Sequence, residues 1–348
     1  LYTFSSLYNK DTNLTIFIYF CRDMKTYITT AALIILALLS SCGKRTSQGT
    51  EEKQQTREFP MITPPAMMQD AGEIIEYMAM HYWDAFISQP QESGKRYLCD
   101  SLHIYGVLKG DLEQGFANYI YILENMPVRQ AQKAVRQMAA RIEEHETADT
   151  SSNVFESFVT IAEKYMFDPN SPLRNEDLYS PFADALSQSR HLDNETRDRY
   201  AYVSEMCRLN EVGTKAADFR FSDRRGREYT LYGMKSEYIL LFFSNPGCHS
   251  CLEIINALKE DYKVSGMIAE KRLAVLNIYI DEDLKEWKEY MPVYPEDWYN
   301  GFDPDLVIRT GKTYNVRAIP SLYLLDAEKT VLLKDATTER LLNVIMNL

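Results

Sequence analysis

The sequence predicts two domains: an all-α helical domain, followed by an α/β domain whose central mixed sheet is flanked by helices. Apolar residues recur with helical spacing from about Asp70 to Asn210. Beyond Gly213, strand-like runs alternate with helical ones, and the chain closes with a hairpin and a helix. A length of 348 residues accommodates about two domains. We therefore place the helical domain at residues 63–210 and the α/β domain at residues 211–348.

The composition is that of a globular protein, with 45% hydrophobic and 25% charged residues. The formal net charge of −12 argues against nucleic acid, or an anionic membrane surface, as a partner. We therefore expect no nucleic-acid function.

The N-terminal residues predict a cleaved signal and a lipid anchor. Met24 is a more sensible start than the first residue, and a lysine and a short apolar segment follow it, as in secretory signals. The residues Leu39-Ser-Ser-Cys-Gly43 resemble the bacterial lipobox, whose cysteine becomes the lipid-modified N-terminus after cleavage. We therefore assign residues 1–23 to upstream or misannotated sequence, residues 24–41 to a lipoprotein signal peptide, and Cys42 to the lipidated position.

Residues 42–62 are polar and of mixed charge, which predicts a flexible, lipidated tether between a membrane and the folded part. The protein is then expected in the cell envelope, anchored to the outer or inner membrane and facing the periplasm. The alternative is an uncleaved transmembrane anchor, which the shortness of the apolar segment disfavours.

The helical domain contains no recognisable catalytic motif. Its apolar faces repeat at helical spacing over the ranges Ile74–Phe86, Leu112–Leu123, Val128–Ile142, Phe155–Tyr165 and Tyr200–Cys207. His81 and His103 lack the spacing of metal ligands, so ordinary packed or surface histidines are favoured. Cys99 and Cys207 are interpreted as inert core thiols in preference to a disulfide, because pairing requires demanding geometry.

The α/β domain is predicted from changes in the hydrophobic period. Its elements are a hairpin at 218–231, a buried strand from Tyr238, a helix from Cys248 to about Val264, a second buried strand at Leu273–Ile280, an acidic aromatic stretch at Asp281–Asp305, a hairpin at Ser321–Asp326 and Thr330–Leu333, and a helix at Thr338–Leu348. In the aromatic stretch, Trp287, Tyr290 and Trp298 are candidates for shaping a partner groove. A loop that packs its own aromatic rings on the sheet is the favoured alternative.

The chemistry of the chain is predicted at Cys248 and Cys251. Cys248 follows the buried strand and an Asn-Pro-Gly turn, so it is expected at a helix N-terminus, where free N–H groups and the helix dipole stabilise a thiolate. Cys251 lies one helical turn later and can close a disulfide with Cys248. Half of a zinc site has the same spacing, but no Cys or His follows Cys251 to complete it. A purely structural disulfide stays open as the other alternative.

Residues Glu211–Leu348 resemble the thioredoxin superfamily and, within it, the extracytoplasmic TlpA/ResA-like thiol–disulfide oxidoreductases. The resemblance rests on three segments: Ala217-Asp-Phe219 with Gly226 and Leu231, Pro246-Gly-Cys-His-Ser-Cys251, and Tyr314-Asn-Val-Arg-Ala-Ile-Pro-Ser-Leu-Tyr-Leu-Leu-Asp326. The lipobox, the helical front domain and Pro295-Glu-Asp-Trp298 more narrowly resemble lipoproteins of gut-dwelling Gram-negative bacteria, whose front domain has no established function.

This resemblance implies an enzyme in which Cys248 attacks a substrate sulfur and Cys251 resolves the mixed disulfide. Pro320 corresponds to the family's cis-proline, and Ile319 before it offers backbone groups that pair with an extended substrate. The implied partners are periplasmic protein thiols or disulfides and an upstream electron donor, with no metal and no cofactor other than the redox-active cysteine pair. The resemblance favours the reducing direction.

The chain departs from the family pattern at two positions. Phe242 occupies the place of the buried Asp that many thioredoxins have, so Glu253 and water both stay open as the proton acceptor for Cys251. His249, between the cysteines, is a candidate for lowering the pKa of Cys248 when it is charged.

Two other functions are weighed against the oxidoreductase. One is a non-enzymatic lipoprotein, whose helical domain binds a partner and whose cysteine pair is permanently oxidised. The other is a thiol peroxidase, ranked last because Leu241 and Asn245 occupy the positions where a peroxiredoxin has Pro and Thr or Ser.

Overall fold

The computed structural model describes residues 53–87, 95–310 and 313–348. The predicted signal, Cys42 and most of the predicted tether lie outside the described residues. Described residues from Lys53 onward belong to one compact unit. In that part of the chain, no helix has both the length and the apolarity needed to cross a bilayer.

The first half is helical, as predicted. Its helices are α1 (Ala71–His81), α2 (Asp84–Ile87), α3 (Lys109–Glu124), α4 (Val128–Ala148), α5 (Val154–Ala162), a π-helical turn (Glu163–Phe167), α6 (Glu176–Ser187) and α7 (Asn194–Cys207). Small strands accompany them: β1 (Lys53–Gln55) pairs in parallel with β2 (Lys95–Tyr97), and β3 (His103–Ile104) forms a hairpin with β4 (Val107–Leu108). The apolar faces predicted from the sequence pack together into one core.

The end of the predicted tether belongs to this helical half. Besides the pairing of β1, the Arg57 guanidinium lies 4.2 Å from the ring centre of Tyr97 and donates from Nη2 to the Phe86 carbonyl at 2.7 Å. Phe59 is partly buried and packs against the helical core, where Gly115 makes room for it, since a Cβ on Gly115 would lie 2.7 Å from the Phe59 ring. The expectation of a flexible tether to residue 62 is therefore wrong for residues 53–62.

The second half is a seven-stranded mixed sheet in the order β11-β10-β7-β8-β9-β5-β6. Its strands are β5 (Arg220–Asp223), β6 (Glu228–Thr230), β7 (Tyr238–Phe243), β8 (Leu273–Tyr279), β9 (Tyr299–Phe302), β10 (Ser321–Asp326) and β11 (Val331–Leu333). Strands β7, β8 and β9 run parallel, and β10 is antiparallel to β7. Both predicted hairpins and both predicted buried strands are present. Strand β9 was not predicted, because it lies within the acidic aromatic stretch.

Helices cover the sheet: α8 (His249–Glu260), α9 (Tyr262–Ala269), α10 (Leu284–Tyr290), α11 (Val307–Thr310) and α12 (Thr338–Met346). The helix predicted from Cys248 to Val264 is divided at Asp261, whose carboxylate accepts hydrogen bonds from the N–H groups of Lys263 and Val264 and so caps α9.

Alternate side chains of the central strand β7 pack into two different hydrophobic cores, one on each face of the sheet. Leu240 and Phe242 face a core that includes Cys251, whereas Leu241 and Phe243 face the other side of the sheet. All four side chains are inaccessible to solvent. Because burial of each such side chain stabilises the fold by about 1.5–3 kcal/mol, β7 is a rigid base for the segment that follows it.

Candidate active site

A tight turn connects β7 to α8 and delivers Cys248 to the edge of the sheet. Gly247 has a φ of +70°, a conformation that glycine adopts without steric cost. The Asn245 side chain donates a 2.7 Å hydrogen bond to the Asp281 carboxylate, which follows β8 at the same edge. The turn is therefore fixed both by its backbone and by the neighbouring strand.

Cys248 is the N-cap of α8, as the sequence predicts. Its Sγ accepts a hydrogen bond from the Cys251 N–H at 3.2 Å, and the two cysteines form a disulfide with their Cα atoms 5.2 Å apart. Cys248 is half-buried, whereas Cys251 is 2% exposed. An incoming sulfur can reach Cys248 but not Cys251, so the geometry suits one attacking and one resolving thiol.

The Ile319–Pro320 peptide bond is cis and lies beside the end of β7. The register of β10 on β7 pairs Ser321 with Phe243, so Pro320 adjoins the turn that leads to Cys248. Neither the N–H nor the C=O of Ile319 makes a hydrogen bond within the described chain. Both are free to pair with an extended peptide laid along this edge.

His249 points into solvent instead of covering the disulfide. Its side chain is 85% exposed, and its Nε2 lies 3.2 Å from Oε1 of Glu253, which is itself 65% exposed. Phe242 packs in the same apolar core as Cys251. The buried surroundings of Cys251 are therefore apolar, and the exposed Glu253 is held by His249.

The three aromatic residues proposed for a partner groove have a different role. Trp287 is 1% exposed and its ring meets Phe302 edge-on at 5.1 Å, while Trp298 is 6% exposed and contacts Phe242. Tyr290 is half-buried against Tyr294. The favoured alternative, a segment packing its own rings on the sheet, is the arrangement observed.

The remaining cysteines and histidines form no second site among the described residues. Cys99 and Cys207 are free, and burial raises the pKa of the Cys207 thiol, which keeps it protonated. His81 pairs with Asp84 at 2.8 Å and His103 with Asp100 at 3.0 Å. In residues 53–87, 95–310 and 313–348, no group of three His, Cys, Asp or Glu side chains is arranged to hold a metal ion.

Sequence reasoning missed the charged residues that surround the cis-proline loop. Arg317, Lys334 and Asp335 are each in contact with charged groups of opposite sign, and all lie close to Pro320 in the chain or in the sheet. In the helical half, Glu176, which is 3% exposed, pairs with Arg317 and Lys334, and Arg174 pairs with Asp335. Isolated charges without a motif gave no signal in the sequence.

Comparisons with known proteins agree with this architecture. Residues 39–210 match a family model described as a domain of unknown function, DUF5106, and residues 236–331 match a model described as thioredoxin-like. A crystal structure of a thioredoxin-like protein from Bacteroides caccae is 36% identical, with a TM-score of 0.70, and the match covers 83% of this chain and 98% of that one.

Two further structures match part of the chain. The C-terminal domain of an uncharacterized protein from Bacteroides fragilis is 47% identical over 40% of this chain and 99% of its own, with a TM-score of 0.39. The thioredoxin domain of a thiol-disulfide oxidoreductase from Bacteroides vulgatus is 20% identical over 39% of this chain and 96% of its own, with a TM-score of 0.35. No curated protein matches the chain. With its similarity to the B. caccae protein along almost that protein's whole length, and a cysteine pair at the start of α8, the chain belongs to the thioredoxin superfamily, as a thioredoxin-like protein with an N-terminal DUF5106 domain.

Proposed function

We propose that the protein is a thiol–disulfide oxidoreductase that acts on protein substrates outside the cytoplasm. The observation that carries the proposal is the disulfide at the start of α8: its accessible sulfur, on Cys248, lies at the same sheet edge as the unpaired backbone of Ile319. Exchange needs a reachable sulfur, a stabilised thiolate and a place to hold the substrate chain. The half-buried Cys248 sulfur, the N-terminus of α8 and the unpaired backbone of Ile319 lie at this edge, which supports the proposal.

In the reducing direction, the Cys248 thiolate attacks one sulfur of a substrate disulfide. A mixed disulfide forms, and the second substrate sulfur leaves as a thiolate. The Cys251 thiolate then attacks the Cys248 sulfur, which releases the first substrate sulfur as a thiolate and closes the Cys248–Cys251 disulfide. Two electrons pass to the substrate, and a dithiol donor returns them by the same steps in reverse.

The electric field at the N-terminus of α8 favours Cys248 as the attacking group. The Cys251 N–H donates to Cys248 Sγ, so a negative charge on that sulfur is stabilised where it forms. When His249 is protonated it adds a positive charge at the same turn, although Glu253 offsets part of it. We therefore propose a Cys248 pKa below that of a free thiol, which is about 8.5.

Lipid anchorage at Cys42 and a periplasmic location form the second part of the proposal. It is supported by the apolar segment after Met24 and the lipobox-like residues up to Gly43. Palmitate labelling of the whole chain expressed in a Gram-negative host tests it. Label on the wild type and none on Cys42→Ser is expected, and label on neither would remove the anchor from the proposal.

Trapping of mixed disulfides tests the enzymatic function. Cys251→Ser should accumulate disulfide-linked complexes with envelope proteins, because the attacking sulfur remains and the resolving one is gone. Cys248→Ser should accumulate none, and Cys99→Ser, which removes a free thiol outside the site, should behave as the wild type. If all the variants trap equally, exchange at Cys248 is refuted.

A redox titration separates the enzyme from the lipoprotein with a permanent disulfide. A midpoint potential far below about −300 mV would mark the Cys248–Cys251 bond as structural. A midpoint above that value, together with reduction of insulin by the dithiol form, is the expected result. The position of the midpoint relative to known donors also tests the reducing direction.

A further inference from the structure

The end of the π-helical turn and the start of α6, both in the helical half, bind Arg317 of the cis-proline loop. Arg317 donates from Nε to Oε1 of Glu176 at 2.5 Å and from Nη1 to the carbonyl of Phe167, and its guanidinium lies 4.3 Å from the centre of the Phe167 ring. Arg317 is two residues before Ile319. The backbone that we propose to pair with substrate is therefore held by a side chain that reaches the other half of the protein.

A buried charge network completes this attachment. Lys334 Nζ lies 2.9 Å from Oε2 of Glu176, and Asp335 lies 3.4 Å from both Arg317 and Arg174. Asp335 also accepts a 2.8 Å hydrogen bond from the Ser321 hydroxyl, directly after the cis-proline. Buried charges are tolerated only when they are paired, so this network defines one relative position of the two segments.

The attachment creates a groove beside the dithiol. The groove has a volume of about 450 Å³, within the size range of pockets that bind small ligands or side chains. Pro169, Asn170 and Arg174 of the helical half form one part of its lining. Opposite them are Ser250, which lies between the two cysteines, and the cis-proline Pro320.

The lining of this groove contains apolar and polar surface in similar amounts. Its apolar part includes Pro169, Ile254, Ala257, Ile319, Leu322 and Ala336. Glu253 is an exposed charged residue on the α8 side of the groove. Arg174, on the other side, forms an ion pair with Asp335. An apolar side chain can be accommodated here without leaving a buried charge unpaired, whereas an acidic one would meet Glu253.

We propose that the helical half forms the second wall of the substrate site. The groove between Pro169–Arg174 and α8 takes an extended segment of a substrate protein, with an apolar side chain next to the cysteine that exchanges with Cys248. This inference rests on the proposed oxidoreductase function. The observation that selects a polypeptide as occupant is continuity: the groove includes Ile319, whose free backbone groups suit a peptide strand. Glu176 and Arg317 act as positioning residues, since they hold the loop and do not contact the sulfurs.

Kinetics with short peptides test this inference. The substrates are unstructured peptides, Gly-Xaa-Cys-Xaa-Gly, whose cysteine is disulfide-linked to glutathione, with Xaa either leucine or aspartate. Glutathione disulfide serves as the substrate that reports the reactivity of the dithiol without the groove, because it lacks the extended peptide segment that the groove is proposed to bind. The groove variant is Asn170→Trp, which fills the groove from its exposed rim, and the matched control is Asn194→Trp, at the start of α7 and outside the groove.

The wild type should exchange with the leucine peptide about tenfold faster than with the aspartate peptide. Asn170→Trp should raise KM for the leucine peptide about tenfold with little change in kcat, leave the rate with glutathione disulfide within twofold, and leave the midpoint potential unchanged. Asn194→Trp should match the wild type throughout. An equal loss with peptide and glutathione disulfide would indicate general damage and contradict the inference.

If the wild type exchanges with both substrates but Asn170→Trp matches it on peptides, the groove inference is wrong and the enzymatic function stands. If the reduced wild type exchanges with neither substrate, both fall. A photoreactive residue at position 170 should crosslink to the leucine peptide in a Cys251→Ser background. Crosslinking instead to residues 1–52 of the chain, or to a second copy of it, would give the groove another occupant and overturn the proposal.

Discussion

Arg317 and Glu176 form an ion pair across 141 positions of sequence, with Nε and Oε1 2.5 Å apart. Glu176 is the first residue of α6 in the helical half, and Arg317 precedes the cis-proline loop of the sheet half. Their side chains are 1% and 13% exposed. The two halves of the chain therefore meet through a buried charge pair near the candidate active site, and the DUF5106 region contacts the segment that leads to the cis-proline.

Replacing one partner of this pair should be costly. Arg317→Met removes one of the two positive charges that pair with the buried Glu176 carboxylate. We therefore expect the free energy of unfolding to fall by about 3–5 kcal/mol. The double variant Glu176→Leu/Arg317→Met removes both charges and should lose less than the sum of the single variants. Urea unfolding followed by circular dichroism measures all three. Additive losses would show that the pair is not coupled.

Asp177 should make stability depend on pH in a defined window. Burial raises the pKa of Asp177 to about 6 from an ordinary value of 3.8, and its Oδ1 has no hydrogen-bond partner among the described residues. Between these values the folded state binds a proton that the unfolded state releases. The stabilisation is therefore full below about pH 4 and is lost as pH rises towards 6.

Asp177→Asn removes this titration, so its stability relative to the wild type should improve between pH 4 and pH 7. The gain should be on the order of 1–3 kcal/mol, since each pKa unit corresponds to about 1.4 kcal/mol. Urea unfolding of both proteins at the two pH values measures the change. A difference between the two proteins that is independent of pH would contradict the raised pKa.

Trp287 should behave as a core residue. Because it is 1% exposed and packed on Phe302, Trp287→Ala is expected to lower the free energy of unfolding by about 3–5 kcal/mol. Tyr290→Ala, at a half-buried position in the same helix, should cost less. Thermal and urea unfolding provide the comparison. Unchanged stability combined with weaker partner trapping would instead restore Trp287 to a binding role.

The segment from Lys53 to Ile62 should contribute to the stability of the helical half. A chain that begins at residue 53 retains β1, Arg57 and Phe59, whereas a chain that begins at residue 63 loses them. The shorter chain should unfold with a free energy lower by on the order of 3–5 kcal/mol, since it loses the partly buried Phe59 ring together with β1 and the contacts of Arg57. In the longer chain, Phe59→Ala should reproduce part of the loss and Met61→Ala, which is 77% exposed, should not. Equal stability of the two truncated chains would make the segment a tether after all.

The sequence by itself determined the fold class, the helix that begins at Cys248 and the place of Pro320 before a strand. These features follow from local regularities. Hydrophobic period separates helix from strand, a three-residue spacing puts Cys251 on the same helix face as Cys248, and a turn glycine ends the central strand. Such regularities involve neighbours in the chain, so they are visible without tertiary structure.

The tertiary structure decided which of the less regular segments are buried. Residues 53–62 are too polar on average for the sequence to predict a folded segment. Phe59 nevertheless packs against a core formed by helices that lie far along the chain. Trp287 and Trp298 could have faced a partner, but the unpredicted strand β9 between α10 and α11 draws the aromatic stretch onto the sheet.

The groove, too, depends on the tertiary structure. Glu176, Arg317, Lys334 and Asp335 are ordinary charges in the sequence, and only their convergence across the two halves shows that each is paired. A single charged residue has no periodic pattern in the sequence, and its burial is tolerated only when a residue of opposite charge, often distant in the chain, pairs with it. Which residues pair in this way is decided by the tertiary structure.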